Sequence, residues 1–170
     1  ANGSLVKLQR LVDELLDVSR IKAGKLEFSK QIFNLTELVN QCVDNSCIMY
    51  PLFTIKKELQ ENIMVMGNEE RIEQVFMNLI NNAVKYSPDC KKIIVRTESN
   101  DTSAIVSVID FGVGMSEQDQ KFIFDRFYRV NAHDELTPGL GMGLYIASEI
   151  IKEHKGEIKV KSKLNEGCVF

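Results

Sequence analysis

The sequence predicts an α/β (α+β) protein: a two-layer sandwich with helices on one face of a mixed, mostly antiparallel sheet, preceded by one separate N-terminal helix. Three observations predict it. The 170 residues are 44% hydrophobic, enough for one good core. Segments of helical period alternate with short segments of period two. Several of the strands are joined by short polar turns rather than helical crossovers, which places the helices together on one side.

From Leu5 to Ile21 the apolar residues Leu5, Leu8, Leu11, Val12, Leu15, Leu16, Val18 and Ile21 recur at steps of three and four. That spacing makes a helix with a broad apolar stripe. Such a stripe suits a bundle whose partner helix comes from elsewhere, or a terminal helix folded back on the domain. Residues 23–33, with Gly24 and mixed charge just before and among them, read as a linker with one short strand, so a domain boundary is expected near here. Asn34 and Glu37 resemble a capping box, and Leu35, Leu38, Val39, Cys42 and Val43 continue at helical spacing until Pro51. Phe53 to Leu59 and Ile63 to Met66 are expected as paired strands.

A second domain helix is expected from Glu69 to Tyr86, burying Ile72, Val75, Phe76, Leu79, Ile80 and Ala83 and stopped by Ser87-Pro88. Lys92 to Ser99 and Ala104 to Asp110 flank the polar turn Asn100 to Ser103, a hairpin that delivers Asp110 at a strand end. Ser116 with Asp119 starts a short helix. Glycines at 139–143 open the last helix, which is capped near Gly156; Glu157 to Ser162 and Cys168 to Phe170 form a final hairpin.

Charge and cysteines exclude several classes. With 21 basic and 24 acidic residues the net charge is −3, so nothing points to nucleic acid or an anionic membrane. Cys42, Cys47, Cys90 and Cys168 form no C-x-x-C pair and have no histidine at metal spacing, which fits reduced, buried thiols in a cytoplasmic protein. No apolar stretch reaches the roughly 20 residues needed to span a bilayer. Ala1-Asn2-Gly3-Ser4 reads like a cloning remnant and Phe170 falls inside an expected strand, so both ends are expected to be cut.

Chemistry concentrates on one helix flank and two glycine-rich turns. Gln74, Asn78, Asn82 and Lys85 share the face opposite the apolar one, with Asn81 beside them. Asparagine costs roughly 0.6 kcal/mol against alanine in mid-helix, so three within five residues indicate a site rather than a stability motive. Amide oxygens can complete the shell of a magnesium ion that carries phosphate oxygens, and Lys85 adds a point charge. Asp110-Phe111-Gly112-Val113-Gly114 puts a carboxylate before alternating glycines, which lets backbone approach a planar ligand while the acid accepts an N–H such as the adenine amino group. Alone, that pattern also fits a simple turn. Gly139-Leu140-Gly141-Met142-Gly143-Leu144 begins a helix, where bare amides and the helix dipole attract phosphate. The polar stretch from Tyr128 to Pro138 is expected as a lid, with Arg129 either a phosphate partner or a surface ion pair. No glycine loop precedes a strand lysine and no H-R-D segment occurs, which rules out the protein-kinase reading of Asp110-Phe111-Gly112. No strand leads directly into Gly139, which speaks against a dinucleotide fold.

Taken in order, residues 78–87 (Asn78 to Ser87), 110–114, Phe124-Asp125-Arg126-Phe127-Tyr128 and 139–144 closely resemble the N, G1, F and G2 boxes of sensor histidine kinases. The resemblance covers most of the chain from Leu5 onward and implies a Bergerat fold. It implies that residues 5–22 are the second helix of a dimerisation and phosphotransfer hairpin, 23–33 a linker and 34–170 the ATP-binding catalytic domain. By position it makes Asn82 the magnesium ligand, Asn78 its supporter, Lys85 a phosphate contact, Tyr86 an adenine neighbour and Asp110 the adenine-reading acid. Gly112, Gly114, Gly139, Gly141 and Gly143 match backbone positions near nucleotide, with Leu140, Met142 and Leu144 between and after them. Phe124 and Phe127 match aromatic positions that steady a lid, or serve as core aromatics. Leu140, Met142 and Cys168 depart from the family's usual threonine, leucine and hydroxyl.

The implied activity is transfer of the ATP γ-phosphoryl group to a histidine outside this chain, for relay to a response regulator receiver domain. The alternative is a nucleotide-binding regulatory module or a related ATPase without kinase activity. Only His133 and His154 are present and neither resembles the acceptor, so the chain alone is expected not to phosphorylate itself. Homodimerisation is expected of the whole protein through the hairpin, with this chain mostly monomeric, cytoplasmic and possessing no membrane insertion of its own.

Overall fold

The computed structural model describes Gln9, Val12, residues 15–19, 29–130 and 140–170. Leu5, Leu8, Leu11, Ile21, most of the expected linker, all of the expected lid beyond Val130, including His133, and Gly139 lie outside the described residues.

The chain runs β1 (Gln31–Asn34), α1 (Leu35–Met49), β2 (Thr54–Leu59), β3 (Met64–Gly67), α2 (Glu69–Lys85), β4 (Lys92–Ser99), β5 (Ala104–Asp110), a single helical turn α3 (Glu117–Gln120), α4 (Gly143–Glu153), β6 (Lys161–Lys163) and β7 (Gly167–Val169). Five strands form one sheet in the order β2-β4-β5-β7-β6, parallel between β2 and β4 and antiparallel elsewhere. Helices α1, α2 and α4 cover one face, as the segment pattern implies. Alternation along β4 turns Ile93, Val95 and Thr97 into the core, where Val108 and Asp110 of β5 join them. Against this face lie Val39 and Val43 of α1, Val75 and Ile80 of α2, and Ile146 and Ile150 of α4. A smaller cluster of Met115, Ile123 and Cys168, with Phe124 and Tyr128 packed on it, sits beside the final hairpin.

Local chemistry sets the helix starts. Asn34 accepts from the amides of Thr36 and Glu37, and its own side-chain amide donates to Glu37 at 3.1 Å, a variant of the expected capping box. Asn68 caps α2 through Arg71, and Ser116 caps α3 through Asp119. Helix α4 differs: Met142 stands at its N-cap and no side chain caps it. At its far end the amide of Gly156 reaches the Ile151 carbonyl at 2.9 Å, while Lys155 takes the left-handed conformation expected of the glycine.

Three expectations are corrected. Residues 53–59 and 63–66 do not pair with each other: β3 pairs antiparallel with β1, and β2 lies parallel to β4. Gln60 explains this, because its amide continues the pairing to the Thr97 carbonyl at 3.2 Å while its own carbonyl accepts from Thr36 at 2.7 Å. The chain is thereby committed to two other elements before it could fold back. The last hairpin begins at Lys161 rather than Glu157, so residues 157–160 are not strand. Not every thiol is buried: Cys42 and Cys168 are, Cys47 is half-buried and Cys90 is exposed.

The described part of the N-terminal helix leaves Val12, Leu15 and Leu16 exposed and buries Asp17 and Val18. Asp17 meets Arg71 at 2.9 Å and accepts from Gln74 at 2.7 Å, so this helix is tied to the first turns of α2.

Candidate functional site

Asp110 occupies the inward-facing last position of β5 and is 3% exposed. Its Oδ1 accepts from the Gly112 amide at 2.9 Å, the Cys168 amide at 3.3 Å and the Ser87 hydroxyl at 3.4 Å. Burial raises its pKa above the ordinary carboxylate value, and these same bonds oppose the rise. All three of these bonds fall on Oδ1 and the Cys168 thiol lies beside the same carboxylate, so Oδ2 is the oxygen with room to accept an N–H of a ligand.

The turn after Asp110 is pressed against the end of α2. A Cβ on Gly112 would lie 2.0 Å from the Tyr86 carbonyl oxygen, and Val113 donates to that same oxygen at 3.0 Å. Gly114, at φ +66°, has the Lys163 carbonyl in the same relation. The Tyr86 ring is partly exposed, and the Lys85 ammonium lies 4.8 Å from its centroid.

Earlier along α2, Asn78 Nδ2 donates to the Gly143 carbonyl at 3.3 Å, which joins the amide-bearing flank to the start of α4. Asn82, one turn further, is half-buried and its side chain has no bond among the described residues. Gly141, at φ +70°, sits against the segment 127–129: a Cβ there would lie 2.6 Å from the Tyr128 carbonyl oxygen. Because α4 has no side-chain cap, its first-turn amides point out of the turn Gly141-Met142-Gly143 without a side-chain acceptor. The Met142 side chain is fully buried, so it can offer a ligand only backbone; Leu144 is half-buried and packs on both apolar clusters, and Leu140 is exposed.

The polar flank of α2 is therefore divided. Gln74 serves Asp17, and Asn81 accepts from the Tyr50 hydroxyl at 2.8 Å, which fastens α2 to the end of α1. Asn78 reaches the start of α4 and Lys85 lies over the Tyr86 ring, while the Asn82 side chain keeps no bond among the described residues. Arg129 is half-buried beside Gly141. Phe124 packs on the small cluster, whereas Phe127 is exposed at φ +64° under the Arg126 guanidinium, 4.3 Å from its ring centroid. His154 is occupied at both nitrogens: Nε2 accepts from the Asn68 amide at 2.9 Å and Nδ1 faces the Ile150 carbonyl at 2.7 Å.

Sequence reasoning missed two contributors. Ser87 was read as a helix stop and Cys168 as a departure, yet both hold Oδ1 of Asp110, Cys168 through its backbone amide. A hydroxyl just past the amide-bearing helix was the available signal for the first, and only the structure shows it fully buried. Cys168 had none, because a backbone donor leaves no trace in residue type. Burial pushes the Cys168 thiol up to about 11, so it is an inert wall rather than a nucleophile.

Among the described residues no group of three or more His, Cys, Asp or Glu could hold a metal ion, and no helix is long and apolar enough to cross a membrane. A cation here would rely on amide and phosphate oxygens, and the free amide of Asn82 fits that demand.

The model of the family described as histidine kinase-, DNA gyrase B- and HSP90-like ATPase matches residues 67–170. The chain is 32% identical over 166 residues to the signal transduction histidine-protein kinase ArlS of Staphylococcus aureus strain USA300, covering 96% of this chain and 37% of the relative. It thus spans little more than a third of that protein. Full-length ShkA, solved in complex with AMPPNP, superposes with a TM-score of 0.80 at 25% identity over 96% of this chain and 35% of that one. The catalytic domain of histidine kinase ThkA, in a nucleotide-free form, gives a TM-score of 0.71 at 27% identity over 84% of this chain and 93% of its own.

Proposed function

We propose a phosphoryl-transfer role for this chain, which belongs to the histidine kinase-, DNA gyrase B- and HSP90-like ATPase family and is the ATP-binding catalytic domain of a sensor histidine kinase. In this reading it holds ATP so that the γ-phosphoryl group passes to a histidine on a hairpin helix outside the chain. The bond from the γ-phosphorus to the β,γ-bridging oxygen breaks, a phosphorus–nitrogen bond forms on the imidazole, ADP leaves and the ring proton goes to solvent. The product then supplies an aspartate on a response regulator. The carrying observation is Asp110: a buried carboxylate with one oxygen held by three donors and the other left to accept.

Asp110 reads the adenine amino group, with the backbone of Gly112 and Gly114 and the Tyr86 ring as neighbours of the base. Lys85 and Arg129 contribute positive charge to the phosphates, and the amides of the turn from Gly139 through Leu140, Gly141, Met142 and Gly143 to Leu144 meet their oxygens. Asn82 would hold magnesium, whose chemistry is to neutralise phosphate charge. Asn78 supports that flank through Gly143. The chain contributes position and charge rather than a nucleophile.

The kinase reading gains over plain hydrolysis at Asn78. Water-activating relatives carry a glutamate at this place; an amide cannot accept the proton, and this one is engaged with the Gly143 carbonyl. Residues 5–22 are proposed as the second hairpin helix and 34–170 as the catalytic domain, with dimerisation residing in the whole protein and a cytoplasmic location for this part. Calorimetry with magnesium and AMPPNP tests binding. Mixing the chain with labelled ATP and a protein that carries a complete hairpin should give acid-labile phosphate; a flat titration, or rapid hydrolysis without transfer, overturns the reading.

A further inference from the structure

The Tyr128 side chain lies far along the chain from the acid and from the amide-bearing flank, yet its carbonyl is the closest neighbour of a Cβ placed on Gly141. The two described flanks of residues 131–139 meet there: 127–129 on one side, Gly141 on the other. What holds the first flank is visible. Tyr128 Oη donates to Asp119 Oδ1 at 2.7 Å, and Asp119 is itself fixed by Ser116, whose hydroxyl donates to Oδ2 and accepts from the Asp119 amide at 3.1 Å. The Tyr128 ring packs on Phe122, with centroids 5.7 Å apart, and against the Met115, Ile123 and Cys168 cluster.

This anchorage matters because the preceding residue is strained. Phe127 is a non-glycine residue at φ +64°, a conformation that persists only when its surroundings over-determine it. Arg126 stacks on its exposed ring from one side, and Tyr128 is the neighbour rooted in the body of the protein. The Asp119 carboxylate is held below the ordinary range by the Ser116 and Tyr128 hydroxyls, and the Tyr128 hydroxyl is raised by Asp119, as a charge-assisted bond requires.

We infer that Tyr128 is a positioning residue for the phosphate-facing turn: its hydroxyl bond to Asp119 keeps the 127–129 backbone against Gly141, and so holds the Gly141-Met142-Gly143 amides where phosphate oxygens are met. Tyr128 touches no nucleotide in this scheme. It acts through Gly141, and the inference rests on the nucleotide reading of the site. The consequence is selective, because removing the hydroxyl keeps the Tyr128 ring that packs beside Cys168, and so leaves the Cys168 amide on Asp110 in place.

The test compares AMPPNP with magnesium against adenosine on the unaltered chain, on Tyr128→Phe, and on Asp119→Ala and Asp119→Asn. Tyr128→Phe should weaken AMPPNP about tenfold, the size of one lost charge-assisted bond, and leave adenosine unchanged. Asp119→Ala should match it, the double variant should be no weaker than either single one, and Asp119→Asn, which keeps an acceptor oxygen, should restore most of the affinity. Equal weakening of both ligands would reveal general loosening and overturn the inference, as would unchanged AMPPNP binding. Should Tyr128→Phe fail to fold, the contrast between Asp119→Ala and Asp119→Asn decides in the same way. An unaltered chain that binds neither ligand sinks the nucleotide reading and this inference together; one that binds both while the variants match it sinks this inference alone.

Discussion

The acid pocket at the end of β5 and the turn at the start of α4 face the same helix, but they are built in opposite ways. Around Asp110 nearly everything is spent: three donors fall on one oxygen, Gly112 is jammed against Tyr86, and the Cys168 thiol is walled in. At the start of α4 the groups are held in reserve. Asn82 has no side-chain bond among the described residues, and α4 lacks the side-chain cap that α1, α2 and α3 each possess. A rigid planar base is best met by a preformed pocket, since ordering is prepaid in folding. A triphosphate whose terminal group departs is better met by amides left without competing side-chain acceptors.

The largest effect that would break this contrast is at Asn82. Asn82→Ala should lower phosphoryl transfer to a hairpin histidine on the order of 100-fold. Its melting temperature should barely move, since the side chain holds nothing in place; a large melting shift with intact transfer would place Asn82 among the structural residues. Next, Asp110→Asn should weaken AMPPNP by about 2 kcal/mol, roughly 30-fold, measured by calorimetry. An unchanged constant would remove the base-reading role from that pocket.

Gly112→Ala sharpens the claim that the acid pocket is already full. The new Cβ meets the Tyr86 carbonyl oxygen at 2.0 Å, and denaturant unfolding should report a loss of about 1–2 kcal/mol. Gly143→Ala is the control at the open end: its Cβ would lie 3.5 Å from Asn78 Oδ1, ordinary contact, and stability should change little.

The smallest effect is a pH dependence with a definite sign. Burial raises the Asp110 pKa above 3.8, so its protonated form is favoured by folding. Its stabilising contribution is complete below the unfolded value and is lost as pH rises through the raised folded one. Acidifying from neutrality should therefore weaken AMPPNP, as the acceptor is protonated, while the same group adds stability. In Asp110→Asn this opposed pair of trends should disappear; if both trends survive, another group is responsible.

Much of this was legible beforehand because it is local. The helix over Glu69–Lys85 and the hairpin of Lys92–Ser99 with Ala104–Asp110 emerged at the expected residues, since periodicity, Asn68, Ser87-Pro88 and the polar turn at Asn100 all act within a few residues. Pairing was not local. Thr54–Leu59 and Met64–Gly67 look like natural partners in one dimension, and only the bonds from Gln60 to Thr36 and Thr97 send them to different sheets. The polar flank of α2 likewise appeared uniform, until Asp17 took Gln74 and Tyr50 took Asn81.

Residue identity by itself determined which side chains could read a base, neutralise phosphate or leave backbone bare, because those capacities belong to the functional groups and their spacing along one helix or turn. Tertiary structure decided which of them were free to do so. Whether an amide is spent on a neighbour or left open, and whether Ser87, Cys168 and Tyr128 serve a site distant in sequence, depends on what the fold brings within hydrogen-bond reach, and that is set by the packing of the whole core rather than by any one segment.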